Sequence, residues 1–179
     1  MYYPLMLKVK GEPCLVVGGG SVALQKARAL RRAGATVTVV SPMFTPALER
    51  LRVRRIPRRF RAGDVAGRVL VIAATDDPKV NRAVFDACRK RAIPVNVADV
   101  PELCSFIVPS VLRRGPVVVA VSTGGQSPSL AKSLRRRIEA LLPASIGRTA
   151  VRLGRERRRI LRALPPSPAR TRLLKGLVR

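Results

Sequence analysis

Three consecutive glycines followed by Ser21-Val22-Ala23 constrain this chain more than any other stretch of its sequence. The apolar run Cys14-Leu15-Val16-Val17 leads directly into them. After them Val22, Ala23, Ala27, Leu30 and Ala33 recur at helical spacing, and Gly34 is placed as a helix stop. Gly18 to Ala23 therefore reads G-x-G-x-x-A between a strand and a helix, the context that gives the pattern meaning. Gly18 permits the tight turn, Gly20 lets the backbone approach a pyrophosphate, and Ala23 lets the helix pack closely on the strand. The helix N-terminus adds free N–H groups and a positive partial charge. A dinucleotide-binding turn is expected, with Gly18, Gly19, Gly20, Ser21 and Val22 facing the cofactor.

The rest of the first 100 residues keeps the strand–helix alternation. Ala35–Val40 is β-branched and predicts a second strand, and Thr45–Leu51 a short helix with Pro46 at its first position. Val69–Ala74 is a continuous apolar run, as in a strand covered on both faces. Asp77-Pro78 opens a helix to about residue 91, and Pro94–Ala98 gives another strand. Such spacing means βαβ units and a parallel sheet. The pattern then changes. Ser105–Val108 and Pro116–Ser122 read as two antiparallel strands turning at Arg113-Arg114-Gly115. Helices follow over Ser127–Leu142 and Ser145–Leu164, then a proline-rich break and a basic tail. The fold class is α/β: a Rossmann-type parallel sheet with a GxGxxA turn, an antiparallel strand pair, and a C-terminal helical segment. The expected division is 1–100, 101–143 and 144–179.

Composition narrows the chemistry. The chain has no histidine, which excludes Ser-His-Asp and Cys-His pairs, histidine-ligated metals and histidine proton shuttles. Cys14, Cys88 and Cys104 are widely spaced and odd in number, so reduced thiols in a cytoplasmic protein are expected. The first residues lack the pattern of a signal peptide, and no apolar run approaches the roughly 20 residues that span a bilayer.

Proton chemistry must then rest on the ten carboxylates, two tyrosines, three cysteines or the lysines. Asp99 ends a predicted strand on the side of the sheet where the glycine turn lies. It can accept a proton as hydride leaves, or hold a cationic ring nitrogen, or simply form a turn. Ala73-Ala74-Thr75 ends the third apolar run, where small residues can lie against a nucleotide. Thr75 reads equally as a turn residue, and Asp77 as a helix cap. Thr123-Gly124-Gly125 forms a second glycine turn before a helix, fit either to receive an anion or merely to join two elements. The second strand ends Val40-Ser41-Pro42-Met43 without the acid that would bind the ribose hydroxyls of NAD, which leaves NADP open.

The GGG-S-VA-x-x-K-A run, the AATDD turn, the VNVAD-x-P-x-x-C-SF-x-x-PS stretch and the STGGQSP turn occur in order over residues 2–145. Together they resemble the precorrin-2 dehydrogenase and sirohydrochlorin ferrochelatase family, the amino-terminal module of siroheme synthases. The resemblance implies NAD-dependent oxidation of precorrin-2 to sirohydrochlorin by a homodimer whose contact is built largely after Asp99. It puts the family's essential aspartate at Asp99. It puts cofactor contacts at the Gly18–Val22 turn, at Ser41, Pro42 and Met43, and at Ala74 and Thr75. Asn96, Ser105, Phe106, Thr123, Gly124 and Gly125 are the expected substrate contacts. Some members also insert Fe²⁺. The region after Pro143 is short beside those with a full chelatase portion, and Asp99 with the ring nitrogens would have to serve.

The net charge of +26 admits a rival reading, a nucleotide-sensing module with a basic nucleic-acid-binding tail. Residues 126–179 hold 15 Lys+Arg and 2 acids, or +13, half of the total. That rival leaves the VNVAD stretch without a purpose, and the intact motif residues argue against a second rival, a non-catalytic scaffold of the same family. The expected partner is therefore a polyanionic tetrapyrrole, with the charge read as part substrate-holding surface and part general arginine use. Nucleic acid ranks behind it, and no membrane partner is expected.

Overall fold

Strand β1 (Pro13–Val17) is the axis of the first unit, buried from Cys14 onward because strands flank it on both sides. Its alternating side chains serve two cores. Cys14 and Val16 face a cluster with Ala23 and Ala27 of α1 (Ser21–Arg32), while Leu15 and Val17 face one with Val84, Ala87 and Cys88 of α3 (Pro78–Arg89). The remaining strands are β2 (Thr36–Ser41), β3 (Arg54–Pro57), β4 (Leu70–Ala73) and β5 (Val95–Val97). They form one parallel sheet in the order β3-β2-β1-β4-β5. The chain leaves β1 in one direction and returns to its other side at β4, so the β1–β4 boundary is the topological switch point. The short α2 (Pro46–Glu49) buries Leu48 against the α1-side core.

The computed structural model describes residues 2–177, and the last two residues of the expected basic C-terminal segment lie outside them. It divides after Val108 into two compact units. In the second, β6 (Ser110–Arg114) and β7 (Val117–Val121) form an antiparallel hairpin. Helices α4 (Pro128–Leu141), α5 (Ile146–Ala163) and α6 (Pro168–Gly176) follow. Only Leu112 and Ala131 among the described hydrophobic residues of this unit are fully buried.

Two local expectations are corrected. Residues 105–108 form no strand: the Ser105 amide donates to Val95 O at 2.8 Å, and its hydroxyl accepts from Val95 N at 2.8 Å. This segment is tied to the edge of β5, so the hairpin begins only at Ser110. Arg113 and Arg114 belong to β6, and the two-residue turn is Gly115-Pro116, with glycine at the first central position as a type II′ turn requires. Past the proline-rich break, Ser167 accepts from Arg170 N and starts α6. Strand β3 had no sequence signal: Arg54-Arg55-Ile56-Pro57 has a single large apolar side chain, as suits an exposed edge.

Candidate dinucleotide site

The glycine turn is built by close approach. Gly18 has φ 125°, and a Cβ there would lie 2.1 Å from Ala74 O; its amide donates to Val40 O at 2.9 Å. A Cβ on Gly19 would lie 1.8 Å from Met43 O and 2.7 Å from Ser41 Oγ, while Gly19 O accepts from Thr45 N at 2.9 Å. These two glycines thus lock the ends of β1, β2 and β4 together. Gly20 differs, since a Cβ there would meet nothing within 4 Å. Of the three glycines it alone leaves open space where a side chain would be.

Ala23, fully buried, sets α1 tightly on the sheet. No side chain caps the N-terminus of α1, and its first turn carries no acid, so the N–H groups there are free for an anion. Ser21 and Val22 are exposed at that end. Beside them, Ser41 is buried, Pro42 is exposed, and Met43 stands 80% exposed, an apolar side chain in water at the end of β2. Thr45 Oγ1 is a buried hydroxyl without a hydrogen-bond partner among the described residues. Open glycine face, uncapped helix and unpartnered hydroxyl fit a dinucleotide laid over β1 and β2.

At β4 the Ala74 amide donates to Val17 O at 2.7 Å, which fixes the 74–75 turn against the glycine turn. The Thr75 hydroxyl donates to Asn81 Oδ1 at 2.9 Å, and Asn81 Nδ2 donates back to Thr75 O at 2.9 Å. Asn81 is buried on α3 and drew no attention in the sequence, where a lone polar residue at helical spacing carries no signal. Asp77 caps α3, its Oδ1 accepting from Lys79 N at 2.8 Å.

One strand further along, the Ala98 amide donates to Ala73 O at 2.9 Å, so Asp99 leaves the sheet next to the 74–75 turn. Asp99 has φ 61°, in the left-handed region that Asp and Asn enter more readily than other non-glycine residues. Its carboxylate is exposed and has no hydrogen-bond or ion-pair partner among the described residues. The segment that follows it is tied back to β5. Cys104 Sγ accepts from Val97 N at 3.2 Å and lies 3.3 Å from Val100 O, to which it can donate. Buried Asn96 donates to Phe106 O at 3.0 Å, and burial pushes the Cys104 thiol above its ordinary pKa. Asn96, Cys104 and Ser105 thus clamp residues 104–106 onto β5 around Asp99, and Phe106 packs against the α1-side core. Cys14 and Cys88, both buried, are pushed up to about 11 by loss of solvent.

Thr123, Gly124 and Gly125 lie in the second unit. The Thr123 hydroxyl accepts from Ser127 N at 2.9 Å, Ser122 Oγ accepts from Gly124 N at 3.1 Å, and both glycines have positive φ with open space around them. Among the described residues no three His, Cys, Asp or Glu side chains gather as a metal site, and no helix is long and apolar enough to cross a membrane.

Parallel sheet, switch-point crevice and glycine turn define a dinucleotide-binding protein of the Rossmann class. Residues 5–110 match the family model described as putative NAD(P)-binding, and residues 114–141 match that of the sirohaem biosynthesis protein central region. The chain is 49% identical to the siroheme synthase of Thioalkalivibrio sulfidiphilus, over 99% of this chain and 37% of that protein. It is 53% identical to the siroheme synthase of Methylobacillus flagellatus, over 82% of this chain and 32% of that protein. It spans about a third of the length of these relatives. Among solved structures, SirC, a precorrin-2 dehydrogenase, matches with a TM-score of 0.79 at 26% identity, over 99% of this chain and 90% of that one. The chain belongs to the NAD(P)-binding family of that model, in the form that siroheme synthases carry.

Proposed function

We propose that this chain oxidises precorrin-2 to sirohydrochlorin with NAD, a step toward siroheme. The observation that carries the reading is Asp99, an unpartnered carboxylate held at φ 61° beside the switch-point crevice. The likeness to siroheme synthases and to SirC supports the substrate. The oxidation removes two hydrogens: a nicotinamide held there would supply the acceptor for one as hydride with its electron pair, and the other leaves as a proton. Asp99 receives that proton on one of its free oxygens. Gly20 and the N-terminus of α1 receive the pyrophosphate. Ser41, Pro42 and Met43 flank the adenosine end, and Ala74 and Thr75 the nicotinamide end. Asn96 and Ser105 hold the Asp99 loop, and with Phe106, Thr123, Gly124 and Gly125 they are the proposed substrate-side residues.

Asp99→Asn is the informative variant, because Asn tolerates left-handed φ while losing the basic carboxylate. NADH formation from precorrin-2, followed by absorbance, should fall by about 10²- to 10⁴-fold with NAD affinity unchanged. Full activity would remove Asp99 from the mechanism. Repeating the assay with NADP and with Fe²⁺ reads cofactor preference and metal insertion, in which the iron is substrate.

We also infer a homodimer and a cytoplasmic setting. The second unit leaves Val111, Leu130, Leu134 and Leu141 exposed while burying little, as a surface completed by a second copy would. The three free thiols suit a reducing compartment.

A further inference from the structure

The arginines of α5 are not scattered. Arg148, Arg152, Arg155, Arg159 and Arg162 follow at intervals of four, three, four and three residues, which lines them along one face of the helix. The row is about 21 Å long at 1.5 Å per residue. All five are exposed, and none is ion-paired among the described residues. Two shallow clefts follow the row. One of about 650 Å³ is lined by Arg148, Arg152 and Arg155 over a floor of Gly115 and Gly147. The next, of about 490 Å³, is lined by Arg155, Arg158, Arg159 and Arg162, so Arg155 joins the two. The floor is kept low by backbone contact: a Cβ on Gly147 would lie 2.5 Å from Arg114 O. The carbonyls that would repel an anion at the end of α4 are covered, since Arg114 donates to Glu139 O and Leu142 O.

We propose that this face of α5 binds the phosphate backbone of duplex nucleic acid without regard to sequence. A row of guanidinium groups matches a linear array of phosphates, each able to take paired hydrogen bonds. A helix 10–12 Å across also fits a major groove about 12 Å wide. The second unit holds no Phe, Tyr or Trp, so it lacks the stacking surfaces that favour single strands. Among the described residues the clefts' apolar lining is Val151 with Pro116 and two alanines, too little for insertion into a lipid surface. Net charge alone did not select nucleic acid; the linear arrangement does.

The test is fluorescence anisotropy of the full chain with a short random-sequence duplex, titrated in NaCl from about 50 to 200 mM. Five phosphate contacts give a log–log slope near −4.5, about a 500-fold loss of affinity over that range. Replacing all five row arginines with Gln should remove most of that slope, and Arg152→Gln with Arg159→Gln should remove about 1.8 of it. A charge-matched control takes five exposed arginines of the first unit, Arg28, Arg31, Arg32, Arg50 and Arg52, to Gln and should leave the slope in place. Circular dichroism checks that each variant is folded. Equal losses in row and control variants would overturn the proposal, as would tighter binding of single strands than of duplex. Row-dependent binding of uroporphyrin or of phosphatidylserine vesicles, with duplex binding unaffected by the row, would also overturn it. None of these readouts depends on precorrin-2 turnover.

Discussion

Gly19 and Gly20 are neighbours in one turn and do opposite things. Gly19 has no room for a side chain, because the Met43 carbonyl and the Ser41 hydroxyl fill the space. Gly19→Ala is expected to destabilise the fold by about 3 kcal/mol or more, since backbone must move to admit the methyl group. Gly20 faces open space at φ −82°, which alanine adopts freely. Gly20→Ala should therefore unfold within a degree or two of the parent chain while binding NAD at least tenfold more weakly. Thermal denaturation with and without NAD separates the two effects. The pattern G-x-G-x-x-A was legible in the sequence, but this division of labour was not. It arises from where the ends of β2 and β4 come to lie.

Among the elements, the link between β3 and β4 holds the best-formed ion pair. Arg58, just past β3, donates to both oxygens of Asp64 at 2.9 and 2.6 Å, and the Arg61 amide donates to Asp64 at 2.8 Å. The guanidinium holds the Asp64 carboxyl below its ordinary range. The native state thus binds this proton less readily than the unfolded chain. The stabilisation is present above the unfolded value of about pH 4 and is lost as pH falls through the lower native value. Asp64→Asn should lower stability at neutral pH and flatten its decline below about pH 4. Guanidinium unfolding at a series of pH values reads both, and an unchanged acid limb would show that other carboxylates set it. Nothing in Arg58-Arg59-Phe60-Arg61 announced this pair, because a contact six residues along the chain depends on the turn between them. The strands with continuous apolar runs were legible because burial on both faces requires such runs. The edge strand β3 was not, because exposure relaxes that requirement.

The two units of the chain are unequally furnished. The first has a core on each face of its sheet, whereas among the described hydrophobic residues of the second only Leu112 and Ala131 are buried. A homodimer formed through the second unit would sediment near 39 kDa, twice the 19.5 kDa of one chain. Leu134→Glu, which puts a charge on α4, should shift it toward the monomer. A parent chain that sediments as a monomer at micromolar concentration would refute the dimer.

The sequence by itself determined the α/β class, the glycine turn with its helix, the second strand of the antiparallel pair and the absence of histidine chemistry. These follow from periodicity, glycine stereochemistry and composition, which act over a few residues at a time. It also singled out Asp99, but left it between a proton acceptor and a turn residue. Tertiary structure decided the rest: that Ser105 and Cys104 fold back on β5 instead of starting a strand, that Asn81 fixes Thr75, and that Asp99 is held with left-handed backbone beside the crevice. Those facts depend on hydrogen bonds between residues several positions apart in sequence, which form only once the sheet has brought its strand ends to one edge.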